Sequence, residues 1–297
     1  MAYTITTDIS RMLLAGQKEI FLKNYDPFPI EYTMYTTPKT ANKKTETYDS
    51  MGNLQAAQEK PEGDAINYGK VEQAYQTSIT NKTWANGFAH SLEAIKYDLY
   101  GVINSAKAKE LARTMRDLEE ANGIRPWNDA FTVALADGQP LCTNSRPLFN
   151  LPGQFNDTLI TGALNYDNIK AGTNQFAFFK NHQGGQMKSS PDRLFTHAVN
   201  MITVEEILYS QKKAYEFSNT ENKLPTLKGV YSHYLTSQTA WFLEDSTYEH
   251  VLFQWFMKTE FDFDEDKRST KNMYFNAINI HQTGALPNIG IVGSLGT

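Results

Sequence analysis

Apolar residues recur at a helical spacing between Ser91 and Gly123, the longest such run in the chain. The apolar set is Leu92, Ile95, Leu99, Val102, Ile103, Ala106, Leu111, Met115 and Leu118. Most of these lie three or four positions apart, and charged residues such as Arg116, Glu119 and Glu120 are assigned to the other faces. The period predicts one amphipathic helix with a single buried side.

The ends of this helix are also predicted from the sequence. Ser91 is a suitable N-cap, and Asn122-Gly123 followed by Pro126 predicts the C-terminus. The helix would be on the order of 45 Å long at a rise of 1.5 Å per residue, whereas an average globular helix has about 12 residues. A helix this long with one apolar side is typical of a strut beneath a broad sheet.

The chain before the helix alternates between short patterns and one long polar stretch. Residues 1–25 predict a short amphipathic helix or an arm, and residues 30–36 alternate like a strand. Residues 37–70 are polar, and a stretch of this length between strand-like runs is uncommon inside a compact domain. Two interpretations stay open for it: a surface loop without fixed structure, or an extended hairpin that becomes ordered on a neighbour.

Shorter patterns follow the long helix. Residues 158–164 and 205–215 are predicted as helices and residues 175–179 as a buried strand. Strand patterns then dominate, with predicted strands at 230–235, 239–243, 251–263, 272–280 and 290–292. The sequence therefore predicts an α+β fold with a mixed middle and a strand-rich C-terminal part.

Composition limits the function classes. The 297 residues allow one large domain or two modest ones, and the net charge of -5 argues against a basic nucleic-acid clamp. The single cysteine, Cys142, excludes an internal disulfide framework and is interpreted as an ordinary loop residue rather than a reactive thiol. A secretory leader pattern and a long apolar window are both lacking, so we expect a soluble product of a reducing cytoplasm.

No catalytic or metal-binding pattern emerges from the sequence. The histidines form no HxxxH pair, and the chain has neither a P-loop nor a GxSxG elbow. Alternating aspartates at 262–266 look like the start of a calcium loop, but Lys267 and Met273 stand where that loop needs Gly and Glu. Alternation with Phe261 and Phe263 instead predicts a strand with Asp on its solvent side. We predict no enzyme activity, no catalytic residue, no cofactor and no metal site.

The order of these parts resembles the major capsid proteins of tailed bacteriophages, the Hong Kong 97-type fold, and within it the Mu-like major head subunit branch. The resemblance covers nearly the whole chain. Local matches are the acidic turn Glu62-Gly63-Asp64, the stretch 128–141, Trp241-Phe242-Leu243 and residues 290–294. The chain departs from the family at 142–146, which lacks the His often found there.

The resemblance implies a division of the chain into named parts. These are an N-terminal arm (1–28), an extended loop or E-loop (37–75), a peripheral domain (76–127 and 246–297) that contains a spine helix (91–122), and an axial α/β domain (128–245). The implied architecture is an α+β capsid fold in which a peripheral sheet lies along the spine helix.

The same resemblance implies a major capsid (head) protein that self-assembles into pentamers and hexamers of an icosahedral shell enclosing double-stranded DNA. It implies a virion protein assembled in the host cytoplasm, with portal, scaffold and cement proteins as partners. Packaged DNA would lie nearby without sequence-specific binding, and no membrane is involved. We expect no covalent lysine–asparagine crosslink. Two alternatives stay open: an encapsulin-like compartment of the same fold, and a β-rich tail or receptor-binding protein.

Overall fold

A computed structural model of the chain describes residues 6–27, 29–51, 57–66, 68, 73–91, 93, 97, 102–213, 220–265 and 272–297. Their strands form two four-stranded sheets and two two-stranded hairpins. The predicted N-terminal helix is confirmed as α1 (Thr6–Tyr25). A short helix, α2 (Tyr32–Tyr35), follows it.

The first sheet lies along the long helix α3 (Val102–Asn128). Its strand order is β1 (Thr37–Thr40), β10 (Val251–Glu265), β11 (Met273–Ala285) and β4 (Lys82–His90). β11 is antiparallel to both of its neighbours, while β1 joins β10 in parallel. Leu111 and Met115 of α3 pack in one buried cluster with Phe275 of β11. The predicted helix beneath a broad sheet is therefore confirmed.

The long helix ends later than its sequence pattern predicts. The helix continues through Gly123 and Pro126 to Asn128, whereas the predicted N-terminal part at 92, 94–96 and 98–101 lies outside the described residues. Gly123 is not a C-cap but a buried helical residue, where an added Cβ would lie 2.6 Å from the Cβ of Tyr32. The last turn is fixed by Trp127, whose Nε1 donates to the carbonyl oxygen of Tyr35 at 3.0 Å.

The second sheet has the order β12 (Ile291–Ser294), β9 (Trp241–Glu244), β7 (Arg193–His197) and β8 (Lys228–Ser232). Its residues Phe195 and Phe242 pack edge-on against Trp127 at the end of α3. The other face is covered by two helices, α4 (Tyr166–Gln175) and α5 (Met201–Tyr209). Two short 3-10 helices, Phe176–Phe178 and Ala198–Asn200, adjoin these.

Two hairpins complete the described strands. β2 (Thr45–Met51) pairs antiparallel with β3 (Gln73–Thr80), from Thr45 opposite Thr80 to Met51 opposite Gln73. β5 (Arg146–Leu148) pairs with β6 (Leu151–Asn156) beside the second sheet.

Two strands lie apart from the segments with which the sequence grouped them. β1 belongs to the first sheet, although 37–75 was expected to be a projecting loop. β12 lies in the second sheet beside β9, although 246–297 was grouped with the first. β12 fits there because Gly293 has no Cβ: one would lie 2.5 Å from the Sγ of Cys142. The remaining domain boundaries stay predictions.

Three short predictions are wrong. Residues 30–36 contain the helix α2 rather than a strand, because Tyr32 and Tyr35 both turn into the core against α3. Residues 175–179 form the end of α4 and a 3-10 turn, and residues 158–164 are not helical. In each case tertiary packing overrides a short local pattern. The helix predicted at 205–215 is α5, which lies earlier and ends at Tyr209.

Gly123 provides a test of the crossing between α2 and α3. Gly123→Ala should lower the free energy of unfolding by about 1–3 kcal/mol, the usual cost of overpacking a core. The matched control is Gly16→Ala in α1, where nothing lies within 4 Å of the added Cβ. That change should stabilise by roughly 0.5–1 kcal/mol because alanine suits a helix better. Urea unfolding followed by circular dichroism compares them, and equal midpoints for the parent and Gly123→Ala would contradict this packing.

Candidate functional site

The β2–β3 hairpin carries a polar segment with little to bury. We call residues 57–66 and 68 the hairpin tip; all of them are exposed. Even its apolar side chains Ile66 and Tyr68 are 60% and 83% exposed. The paired strands show that the two ends of this part of the chain form a hairpin, and the described residues of the tip itself belong to no strand. Its ordering on a neighbour stays a prediction, and exposed apolar groups of this kind are typical of an interaction surface.

The root of the hairpin is fixed to both halves of the molecule. The hydroxyl of Tyr48 donates to Oε1 of Gln254 in the first sheet at 2.9 Å. The ring of Tyr75 meets Phe149 edge-on at 5.5 Å and His182 at 6.0 Å, both next to the second sheet. These contacts hold the root of the hairpin between the two sheets.

A buried carboxylate, Glu119, joins helix α1 to helix α3 and the first sheet. Its Oε2 accepts from Nη1 of Arg116 at 2.7 Å, and its Oε1 accepts from the hydroxyl of Thr259 at 2.7 Å. The Tyr25 hydroxyl also donates to Oε1, and its ring lies 3.9 Å below the Arg116 guanidinium. Burial and the charge of Glu119 raise the pKa of Tyr25, which keeps its phenol protonated as a donor.

The adjacent Glu120 holds the segment that follows α1. Its two oxygens accept from the backbone N–H groups of Glu31 at 2.9 Å and Tyr32 at 2.8 Å. The hydroxyl of Tyr35 also donates to it, at 3.2 Å. Burial raises the pKa of Glu120 to about 7. The sequence had placed Arg116, Glu119 and Glu120 on outer faces, but all three are buried.

A third buried carboxylate, Glu244, lies where the second sheet meets α2. Glu244 of β9 lies opposite Arg193 of β7 in the strand pairing. Nη1 of Arg193 lies 3.9 Å from Oε2 of Glu244 and donates to the carbonyl oxygen of Met34 at 3.1 Å. Within the described part of the chain, Oε2 of Glu244 has no hydrogen-bond partner. Burial raises the pKa of Glu244 to about 8.

The residues singled out for chemistry do not come together. Cys142 is buried, and burial raises its pKa to about 12, so it is an unreactive core thiol. Burial lowers the pKa of His250 and of His281 to about 4. Among the described residues, no three His, Cys, Asp or Glu side chains are grouped as a metal site would require.

The acidic stretch near the end of β10 is a strand, as predicted. Asp262 and Asp264 are exposed, whereas Phe261 is buried and Phe263 is half-buried, and both rings lie in the cluster that contains Phe275 of β11. Residues 266–271 lie outside the described residues. The described helices include none with the length and hydropathy of a membrane span.

Comparison with known proteins identifies the fold. No family model and no curated protein sequence matches the chain. The capsid of Ralstonia phage GP4 matches with a TM-score of 0.59 and 8% identity, covering 87% of this chain and 86% of that one. The mature capsid of bacteriophage PhiM1 matches at 0.55 and 10%, covering 90% and 87%. The head structure of Helicobacter pylori bacteriophage KHP40 matches at 0.55 and 10%, covering 86% and 85%.

The chain therefore has the fold of tailed-phage capsid proteins. The predicted α+β capsid fold is confirmed, and the match extends along nearly the whole chain. Assignment to the Mu-like branch stays a prediction. At identities of 8–10% the likeness speaks for the arrangement of elements and not for any shared residue.

Glu244 predicts a pH dependence of stability. The native state keeps the Glu244 proton up to about pH 8, whereas the unfolded chain releases it near the ordinary value of about 4.3. Between these values the native state binds more protons, so this residue makes stability fall as pH rises. Gln cannot ionise, so the stability of Glu244→Gln relative to the parent should rise from pH 4.5 to pH 8, by up to about 1.4 kcal/mol for each pH unit.

Thermal unfolding of the parent and of Glu244→Gln across pH 4.5 to 8 measures this difference. Glu62→Gln, at the exposed hairpin tip, is the matched control and should follow the parent at every pH. A constant offset between the parent and Glu244→Gln would show that Glu244 is ionised in the native state.

Proposed function

We propose that this chain, which has the fold of tailed-phage capsid proteins, is the major capsid (head) protein of a bacteriophage. Copies self-assemble into pentamers and hexamers of an icosahedral shell that encloses double-stranded DNA. The observation that carries the proposal is the extent of the structural match, which covers 87% and 90% of the chain against two phage capsids.

The geometry of the subunit supports a role in a shell. Helix α3 and the first sheet form a stiff body, held by the buried carboxylates Glu119 and Glu120. The hairpin tip would lie over an adjacent copy. The arm helix α1 packs on its own α3 through Phe21 and Tyr25, so it would contact another copy only with its outer side. Many modest contacts per copy, repeated over a closed lattice, make such a shell persist.

The parts of the subunit take the roles that the resemblance implies. In this proposal residues 1–28 are the arm, the hairpin within 37–75 is the E-loop, and the first and second sheets belong to the peripheral and axial domains. The net charge of -5 suits a wall near packaged DNA that does not grip it. Portal, scaffold and cement proteins are proposed partners, and contact rather than catalysis is the activity.

Negative-stain electron microscopy of the overexpressed protein tests the proposal. Closed shells of uniform size are expected. A monomer or trimer by size exclusion, with no shells, would overturn the proposal and favour a tail or receptor-binding protein. Shells that enclose a cargo protein instead of nucleic acid would overturn it in favour of an encapsulin-like compartment.

The hairpin tip provides a sharper test of assembly. Replacing residues 52–72 by Asn-Gly leaves β2 and β3 joined by a two-residue turn, which suits the pairing of Met51 with Gln73. The root contacts of Tyr48 and Tyr75 are kept. We expect a folded subunit with the thermal stability of the parent that forms no closed shells, because the lattice contacts of the tip are gone.

Two measurements control this experiment. The circular dichroism spectrum and unfolding temperature of the truncated chain must match those of the parent, which shows that the body is intact. In mixtures with the parent, the truncated chain should be excluded from particles. Normal particles made of truncated chains alone would show that the hairpin tip has no part in the lattice.

A further inference from the structure

The layer of helices on the second sheet exposes apolar side chains at two separate places. One is at α5 and the 3-10 helix before it, where Val199, Met201 and Ile202 are 66%, 47% and 71% exposed. The other is beside α4, where Phe155 and Phe178 are 53% and 74% exposed. Exposed apolar groups gathered in this way indicate a surface that another molecule covers.

The first place is a ridge. We define the α5 ridge as Val199, Met201, Ile202, Glu205 and Glu206. Ile202 and Glu206 lie one turn apart on the same side of α5, so the apolar end of the ridge is followed by acidic side chains. The inward side of the helix is already used, since Val204 and Ile207 are buried in the core beneath it.

The second place is concave. We define the α4 hollow as the depression of about 360 Å³ whose wall includes Phe155, Ala171, Asn174 and Phe178. The rings of Phe155 and Phe178 line one part of it, and Asp157 and exposed residues of α4 line the rest. A depression of this kind can accept a branched aliphatic side chain such as that of Ile202.

The ridge and the hollow lie toward opposite edges of one sheet. α5 packs on β8, which is one edge strand of the second sheet, and α4 packs on β12 and β9 at the other edge. A single molecule therefore cannot bring the two together. A second copy placed beside the first can, because the ridge side of one copy then faces the hollow side of the next.

The charges of the two surfaces are complementary. The ridge contains Glu205 and Glu206 and no basic residue, and Oε1 of Glu205 also accepts from the hydroxyl of Tyr231 at 2.9 Å, a bond that leaves the carboxylate its charge. Near the hollow, Lys170 lies one turn before Asn174 on the exposed side of α4, and Lys180 follows Phe179, which lines the hollow. Asp157 lines the hollow and contributes one negative charge, and its Oδ1 accepts from the backbone N–H of Leu159 at 3.0 Å. Asp167 lies 3.9 Å from Lys213, which balances it, so Lys170 and Lys180 leave the region with a net positive charge.

We propose that the α5 ridge of one copy packs into the α4 hollow of the next, with Ile202 as the apolar contact and acidic residues of the ridge facing Lys170 and Lys180. The contact is heterologous, because two different patches meet. Repeated around an axis it closes copies into a ring. This inference rests on the proposed function and specifies which side chains of the second-sheet region join neighbours.

Chemical crosslinking tests the pairing and its polarity. The variant Ile202→Cys with Ala171→Cys places one thiol on the ridge and one in the hollow of every copy. After treatment of particles with a short bis-maleimide, a denaturing gel should show covalent multimers beyond the dimer, up to five or six chains. The native Cys142 is 2% exposed and should not react.

The controls separate a heterologous contact from other arrangements. Ile202→Cys alone and Ala171→Cys alone should each stay monomeric on the gel, and particles from an equal mixture of the two should give dimers but nothing larger. Ile202→Cys with Val133→Cys is the matched control, because Val133 is 50% exposed but lies away from the hollow. It should give no multimers.

Each result decides the question. Dimers from Ile202→Cys alone would show that the ridge contacts the ridge of another copy. Shells in which the paired variant gives no multimers would show that the ridge does not lie in the hollow. Either result overturns the inference and leaves the proposed function intact. If the parent forms no shells, the proposed function fails. The paired variant is then crosslinked as concentrated free protein, where multimers sustain the inference and their absence overturns it.

Discussion

The structure depends on two neighbouring carboxylates that helix α3 removes from water. Burying a charge costs several kcal/mol unless a counter-charge and hydrogen bonds offset it. Glu119 is offset by Arg116 and by the hydroxyls of Tyr25 and Thr259, and Glu120 by backbone N–H groups after α1. Because these donors belong to the arm helix, to the segment that follows it and to the first sheet, all can be satisfied only in one relative position. A polar network in which the carboxylate oxygens find donors from several elements in this way favours one arrangement of those elements.

This network also explains what the sequence could and could not predict of the fold. The apolar period through Leu111 and Met115 was sufficient to predict a long helix under a sheet, because hydrophobic periodicity is a local signal. The burial of Glu119 was not predictable, because its partners Tyr25 and Thr259 are separated from it by 94 and 140 positions. Gly123 is a second example. It looks like a C-cap in the sequence, and only its close contact with Tyr32 of α2 shows that a side chain would not fit there.

The two candidate surfaces also differ in how far the sequence predicts them. The polar composition of 37–70 pointed to the hairpin, since a segment that cannot bury itself is visible in composition. The α5 ridge was not visible, because Ile202 has the same residue type as Ile207, which is buried three residues after Val204 in the same helix. The rotation of one short helix about its own axis decides which of its aliphatic residues face the core and which face outward. The order of elements can therefore match capsids at 8–10% identity without any shared surface residue.

The two surfaces would hold neighbours by different physics. The hairpin tip is exposed and carries Glu59, Lys60, Glu62 and Asp64, so contacts through it would depend on charge and be screened by salt. The ridge and hollow would combine an apolar contact at Ile202, which scales with buried area, with Glu–Lys pairs at its edge, so only part of this contact is screened by salt. Both can engage at once only if the body between them keeps its shape. Arg193 helps to provide that stiffness: it ties the second sheet to Met34, next to the backbone that Glu120 holds. The buried polar groups would thus hold the two proposed surfaces in a fixed position relative to each other.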